Sequence, residues 1–406
     1  MRVLLSTIGS RGDVQPLLAL AVALRSLGQE ARLCAPPDFG ELIEALGISF
    51  TPIGPNVRQA AAKLPMTPGS LSPEQLRRMA DESVTTQFET ITEAALDCDA
   101  IVGATALQIA APSIAERMGI PYVFAAYCPR VLPSPHHPPI VLRLAGEVPP
   151  PPTADNRELW AKDAQRSNDR WGAVLNSHRA SIGLAPIDDV RSYVLTDDPW
   201  LAADATLGPW PDARDDTVFQ TGAWILPDER PLSRELREFL DAGDPPIYFG
   251  FGSIRAPREL AQTMIQAARA LGRRSILLSG WADLSLVDKE GDCLVIGEVN
   301  QQALFERVAA VVHHGGAGTT TTAARAGAPQ VVIPQMYDQH YWARRVQLLG
   351  IGTAHEAGVP TADSLTSALE HVLRPDVLVR ARSIAGAVRT DGAEVAARRL
   401  VDTMSR

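Results

Sequence analysis

Cysteine is scarce in this chain. Its four thiols, Cys34, Cys98, Cys128 and Cys293, lie far apart among 406 residues, and no CxxC or Cys/His cluster occurs. That excludes a zinc-finger pattern and a disulfide framework, and it fits a reducing compartment, so the expected location is cytoplasmic. A basic excess is lacking too: 38 Lys and Arg stand against 47 Asp and Glu, a formal charge of −9 with a pI near 5.5. A general grip on nucleic acid or on an anionic membrane needs a basic face, so neither partner is expected. No apolar run approaches the roughly 18 residues of a spanning helix, which argues against membrane insertion. The chain opens on a strand-like run at 3–5, and Arg11, Gly12 and Asp13 follow too soon for a secretory leader.

What is present has a clear rhythm. The length suits two domains. In the first half, strands are expected at 3–6, 31–35, 100–103 and 122–126, with helices at 14–27, 41–46 and 110–118. In the second half, strands are expected at 247–251, 275–279, 294–296, 308–313 and 330–333. Helices are expected there at 258–271, 302–305, 319–326, 341–349, 364–373 and 376–388. Strands alternating with helices imply parallel sheets with helices on their faces, so the fold class is α/β with two Rossmann-like domains. Residues 129–153 are rich in proline, with Pro149 to Pro152 consecutive, and form a loop whose apolar content packs over something. Residues 220–233, QTGAWILPDERPLS, lie between the halves and read as the interdomain linker. A cleft between two such domains is a favoured ligand location.

Three strand–turn–helix junctions carry unusual turn chemistry. In STIGSRGD (6–13), glycines permit a tight path, Ser10 offers a hydroxyl, Arg11 a cation and Asp13 a carboxylate. Asp13 reads either as a helix cap or as a functional group, and the two can coexist. The second junction, GFGS (250–253), ends in Ser253; it reads as a ligand-facing turn or as plain turn chemistry. The third, HHGGAGTT (313–320), is the richest. Exposed backbone N–H groups and the hydroxyls of Thr319 and Thr320 suit phosphate oxygens, and an imidazole adds a donor. The plainer reading is a structural histidine before a helix start. It is neither a Walker A loop nor GxGxxG. Beyond the strand at 330–333, Asp338-Gln339-His340 suits sugar hydroxyls, or else caps the following helix.

Other features carry less. Asp97-Cys98-Asp99 spells a metal-binding DxD, but at the amino end of a strand, where parallel sheets rarely bind ligand, so a solvated turn is expected. His136-His137 lacks acidic or cysteine company for a metal. Trp160 and Trp171 read as packing residues. The arginine pairs at 77/78, 273/274, 344/345 and 398/399 read as solvated helix faces and ends. No metal site is expected.

These motifs resemble the family 1 antibiotic glycosyltransferases of the GT-B class, especially the actinomycete glycopeptide-aglycone (vancomycin-group) enzymes. The resemblance runs over nearly the whole chain: MRVLLSTIGSRGDVQPLLALA, LNSHRASIGL (175–184), PWLAAD (199–204), QTGAWILPDERPLS, GFGS, GWADL (280–284), GEVN (297–300), HHGGAGTT and TDGAEVAA (390–397). It implies an acceptor-binding domain at 1–219, the linker at 220–233, a nucleotide-sugar domain at 234–390, and a last helix in 391–406 that packs back on the first domain. The sheets of the two domains would face a central cleft. Asp13 would be the general base. Ser10 and Arg11 would line the donor diphosphate, with Ser253 opposite. His314 and Thr319, with the backbone of Gly315, Gly316 and Gly318, would hold the phosphates. The Val299 backbone would meet the base, and Asp338 and Gln339 the sugar hydroxyls. Family members invert the anomeric centre, need no metal and use no cofactor beyond the nucleotide sugar.

The expected reaction is transfer of a hexose, glucose favoured, from a UDP- or dTDP-sugar to a hydroxyl of a natural-product acceptor, with a glycopeptide aglycone the leading candidate. The stretch MYDQHYWARRV (336–346) departs from the glycopeptide enzymes, which keeps a macrolide, ansamycin, sterol or other hydrophobic acceptor open. Loops at about 55–80 and 129–153 are where acceptor choice is expected to reside. A sugar-nucleotide epimerase or a non-catalytic auxiliary protein remain readings of another class. The sequence assigns no oligomeric state.

Overall fold

A computed structural model describes residues 1–63, 72–105, 107–140, 151, 153–212, 215–251, 259–280, 290–356 and 359–405. The chain divides into two compact units. Unit 1 holds Met1–Ala203, Pro209–Leu226 and Thr390–Arg406; unit 2 holds Asp204–Gly208 and Pro227–Arg389. The segment expected as a linker is thus divided: residues 220–226 lie in unit 1 and 227–233 in unit 2.

Unit 1 is built on β1 (Arg2–Thr7), β2 (Glu30–Ala35), β3 (Ser49–Pro52), β4 (Ala100–Ala104), β5 (Tyr122–Ala126), β6 (Trp200–Leu201) and β7 (Phe219–Gln220). Their order is β3-β2-β1-β4-β5-β6-β7, with every pairing parallel. Side chains alternate across a strand, so Val3 and Leu5 of β1 share a face with Val102, the register partner of Leu5, and Ala104 of β4. Against that face pack Leu17, Leu18, Leu20 and Leu24 of the helix Arg11–Ser26 and Ala393, Ala396, Ala397 and Leu400 of the C-terminal helix Gly392–Met404. β1 and β4 are buried along nearly their whole length, on both faces, which is why they read as near-continuous apolar runs.

Unit 2 repeats the plan with β8 (Ile247–Gly250), β9 (Ser275–Leu278), β10 (Cys293–Ile296), β11 (Ala310–His313), β12 (Gln330–Val332) and β13 (Gly352–Ala354), in the order β10-β9-β8-β11-β12-β13. These pairings are also all parallel. In both sheets the order reverses beside the first strand, between β1 and β4 and between β8 and β11. Ligands of open α/β sheets bind at such a reversal, beyond the carboxyl ends of the strands.

Several elements differ from expectation. The first helix starts at Arg11, three residues sooner than the apolar pattern, because Ser10 and Asp13 organise its first turn. The stretch 55–80 is not one loop: Val57–Lys63 and the long helix Pro73–Ala94 occupy much of it. That helix opens with Pro73 at its first position and a capping box between Ser72 and Gln75. The motif LNSHRASIGL proves structural. Arg179, 1% exposed, bonds Glu116 through two nitrogens at 2.8 and 3.2 Å, together with Ser113, Tyr193 and the Ala185 carbonyl.

Candidate active site

In unit 1, the loop after β1 ends on Ser10, the N-cap of the first helix, which places Asp13 at its third residue rather than at the cap. The Asp13 Oδ2 atom accepts from the Ser10 N–H at 2.6 Å and from the Ser10 hydroxyl at 3.1 Å. The carboxylate therefore does serve the helix start, and the same bonds fix its position at the carboxyl end of β1. Gly9 makes room for it: a Cβ there would lie 2.2 Å from Oδ2. Beneath, the Tyr127 hydroxyl donates to the Asp13 carbonyl at 3.1 Å; burial and the nearby negative charge of Asp13 hold that phenol protonated. Arg11, half-buried, is the first residue of the same helix.

In unit 2, HHGGAGTT follows β11, and its two histidines have different tasks. His313 is fully buried; its Nδ1 accepts from the Gly315 N–H at 3.1 Å and its Nε2 meets Gln330 Oε1 at 2.9 Å. Those contacts define one neutral tautomer, with the proton on Nε2, and burial pushes the pKa down to about 3. His313 thus shapes the loop. His314 is half-buried and turned toward the Gly250 carbonyl at the end of β8; burial pushes it down to about 4, with that carbonyl acting the other way. It is an uncharged imidazole at neutral pH, and its Nδ1 has no protein partner.

Gly315 turns the chain with φ +94, where a Cβ would stand 2.7 Å from Val332 Cγ1 and 3.0 Å from the Gln339 carbonyl. Only glycine fits both demands. Gly316 then caps the helix Ala317–Arg325 without a side chain, so among the described residues no side-chain acceptor meets the first N–H groups. The hydroxyls of Thr320, Thr321 and Thr322 bond back to the carbonyls of Gly316, Ala317 and Gly318 at 2.9, 2.8 and 2.9 Å. Thr320, expected as a phosphate contact, is committed and buried. Thr319 makes no such bond and is half-exposed in the first turn, next to the exposed Gly318. A helix N-terminus with no side-chain cap and a hydroxyl in its first turn has the dipole and the donors that suit an anion.

The close approach of Gly315 to Gln339 brings a second element to this place. Asp338 precedes the helix Gln339–Leu348 and Gln339 is its first residue, two positions earlier than expected. Asp338 accepts from Trp342 Nε1 at 2.8 Å, and burial pushes its carboxyl up while that bond pulls it down. Gln339 spends its Oε1 on the N–H groups of Gln335 and Met336, at 2.7 and 3.0 Å. Val299 is half-buried; beside it Asn300 caps the next helix and clamps the Asp228 and Arg230 carbonyls at 2.6 and 2.9 Å. Ser253 lies outside the described residues.

The lesser motifs take structural places. Asp99 accepts from the Arg2 N–H at 2.6 Å in an amino-end turn. Trp160 and Trp171 are buried, and His137 lies between Trp160 and Trp210 at 6.0 and 5.9 Å. Among the described residues no group of three or more His, Cys, Asp or Glu could hold a metal ion, and no helix is long and apolar enough to cross a membrane. Sequence reasoning missed Gln330, Tyr127 and Trp342. A glutamine opening the buried strand QVV signalled a partner for the first; Trp342 stands one helical turn after Asp338, a spacing that put them on one face.

Two doubly wound parallel sheets, one in each unit, are the architecture of the GT-B class of transferases. Residues 3–134 match the glycosyltransferase family 28 N-terminal domain, and residues 289–396 the erythromycin biosynthesis protein CIII-like C-terminal domain. The chain is 52% identical to a vancomycin aglycone glucosyltransferase of Amycolatopsis orientalis over 408 residues, covering 100% of this chain and 98% of that protein. It is 45% identical to a dTDP-epi-vancosaminyltransferase of the same organism, covering 95% and 93%. The crystal structure of glycosyltransferase VinC in complex with dTDP has the same fold, with a TM-score of 0.70 at 21% identity and full coverage of both chains. The chain belongs to the GT-B antibiotic glycosyltransferases and is a glycosyltransferase of the glycopeptide group.

Proposed function

We propose that this enzyme transfers a hexose, glucose favoured, from a UDP- or dTDP-sugar to a hydroxyl of a glycopeptide aglycone, inverting the anomeric carbon without a metal. The observation that carries the reading is the open helix N-terminus at Gly316–Thr319 packed, through Gly315, against the helix that begins at Gln339. The N–H groups there, Thr319 and His314 receive the diphosphate, with Ser10 and Arg11 of unit 1 and Ser253 as further contacts. Asp338 and the Gln339 amide meet hydroxyls of the attached sugar, and the Val299 backbone meets the base. Unit 2 is then the donor domain and unit 1 the acceptor domain.

The chemistry follows from these roles. The acceptor oxygen attacks the anomeric carbon as the bond to the diphosphate breaks. Asp13 takes the hydroxyl proton, which raises the nucleophilicity of the oxygen as the new bond forms. Negative charge grows on the leaving diphosphate, where preorganised N–H groups and a helix dipole stabilise it in place of a cation. Attack from the face opposite the leaving group inverts the centre. The higher identity to a glucosyltransferase than to an epi-vancosaminyltransferase supports glucose as donor sugar. Incubation with UDP-glucose, dTDP-glucose and a dTDP-aminodeoxysugar against a vancomycin-type aglycone, a macrolide, an ansamycin and a sterol, read by mass, tests the reading. A hexosylated aglycone is expected. No transfer to any acceptor by protein that binds the nucleotide would overturn it, and acceptor-free conversion of the donor would favour an epimerase.

A further inference from the structure

We propose that Trp342 positions Asp338 for the donor sugar: its indole N–H holds one carboxylate oxygen and so presents the other to a hydroxyl of the bound hexose. The inference rests on the donor reading above. Asp338 stands at the N-cap of its helix but does not cap it; no bond runs from its side chain to the helix N–H groups, and its φ and ψ, −73° and −11°, are helical. The carboxylate is instead tied to Trp342 through Oδ2 at 2.8 Å. An acidic group at an N-cap that forgoes capping has been turned toward another task.

The indole that holds it cannot move freely. Trp342 is 1% exposed and is the largest of the fully buried side chains. Its far edge rests on Gly208, where a Cβ would stand 2.8 Å from Cη2 and 3.1 Å from Cζ3. Gly208 belongs to the short segment Asp204–Gly208, which is itself fastened. Asp204 Oδ1 accepts from the N–H groups of Thr206 and Leu207 at 2.8 and 3.2 Å, and Arg345 donates to the carbonyls of Leu207 and Thr206 at 2.6 and 3.1 Å. The indole is therefore wedged between a fixed wall and the carboxylate, with its single N–H aimed at Oδ2. A carboxylate alone rotates about its last torsion; one directed bond sets its plane and leaves Oδ1 as the oxygen without a side-chain partner among the described residues. Burial raises the pKa of Asp338, and the indole bond offsets part of that penalty on the charged form.

Trp342→Phe keeps the ring and deletes the N–H. Calorimetry on the full chain would compare UDP and dTDP with UDP-glucose and dTDP-glucose, without acceptor. The bare diphosphates should bind within about twofold of wild type and the glucose donors about tenfold more weakly, the loss of one charge-assisted bond. Asp338→Asn should weaken the glucose donors selectively, and the double variant should be no worse than Asp338→Asn alone. Equal weakening of diphosphate and glucose donor, unchanged glucose-donor affinity, or losses that add in full would each overturn the inference. Should Trp342→Phe not fold, the Trp342 indole N–H resonance of wild type gives the same test: it should shift with dTDP-glucose and not with dTDP, and an identical response to both would refute the role. If the wild-type chain binds no glucose donor, the donor reading itself falls; if it does and only the Trp342 tests fail, that reading stands and the positioning role is refuted.

Discussion

The Asp13 carboxylate is tied to Ser10 through two hydrogen bonds, so replacing it acts on the helix and, in the proposed reaction, on the chemistry as well. Loss of the helix contact costs about 1 kcal/mol, a modest fall in melting temperature. Loss of a general base costs far more in rate. Asp13→Ala should remain folded, bind dTDP or UDP as wild type does, and lose roughly 10²- to 10⁴-fold in turnover. Single-turnover kinetics beside a nucleotide titration checks this; unchanged turnover would remove Asp13 as the base. The histidines also act on stability. Their folded pKa values lie at about 3 for His313 and about 4 for His314, below the ordinary value of 6.5. Between about 6.5 and 4 the unfolded chain takes up protons that the folded chain refuses, so stability should fall as pH drops through that window. Denaturation midpoints measured from pH 7 to 4.5 should decline, and His314→Asn should flatten part of the slope. A midpoint independent of pH in both proteins would contradict the buried, neutral assignment.

Arg179 is the clearest case at the level of elements, since it joins the helix Ala173–Ser181 to the helix Ala111–Met118 through Glu116 and Ser113. Arg179→Met keeps the stem, removes the guanidinium and takes the ion pair from Glu116, while Tyr193 still bonds Ser113 and Glu116. We expect a loss of about 3 kcal/mol in denaturant unfolding with little change in nucleotide affinity, because the network belongs to unit 1 and the proposed donor site to unit 2. Legibility also varied by element. β1, β4, β5, β8 and β11 announced themselves as apolar runs, and the glycine turns marked their carboxyl ends. The helix Pro73–Ala94 did carry a signal, with Ala80, Val84, Phe88 and Ile91 buried at helical spacing, but its polar remainder resembled a loop. β6 and β7 are two residues long, too short for any period to show. The starts of the helices at Arg11, Ala317 and Gln339 ran ahead of their apolar patterns because capping and turn residues, not burial, set them.

For the whole molecule, the repeated strand order is what gives each unit a reversal point, and Ser10–Asp13 and His314–Thr319 follow the first and fourth strands at those points. The alternation of strands and helices in the sequence conveyed the parallel sheets. It could not convey that Asp204–Gly208 joins unit 2 while its neighbours on both sides join unit 1, because that depends on contacts with Trp342 and Arg345 far along the chain. The same distance hid the Trp342 wedge while leaving Asp13, His314 and Asp338 visible as motif residues. The central claim is an inverting transfer assisted by Asp13, and the anomeric configuration of the product tests it most directly. With α-configured UDP- or dTDP-glucose and a glycopeptide aglycone, proton NMR of the purified product should show a β-linked glucose, formed by wild type and nearly abolished in Asp13→Ala. An α-linked product would contradict direct displacement and with it the role given to Asp13.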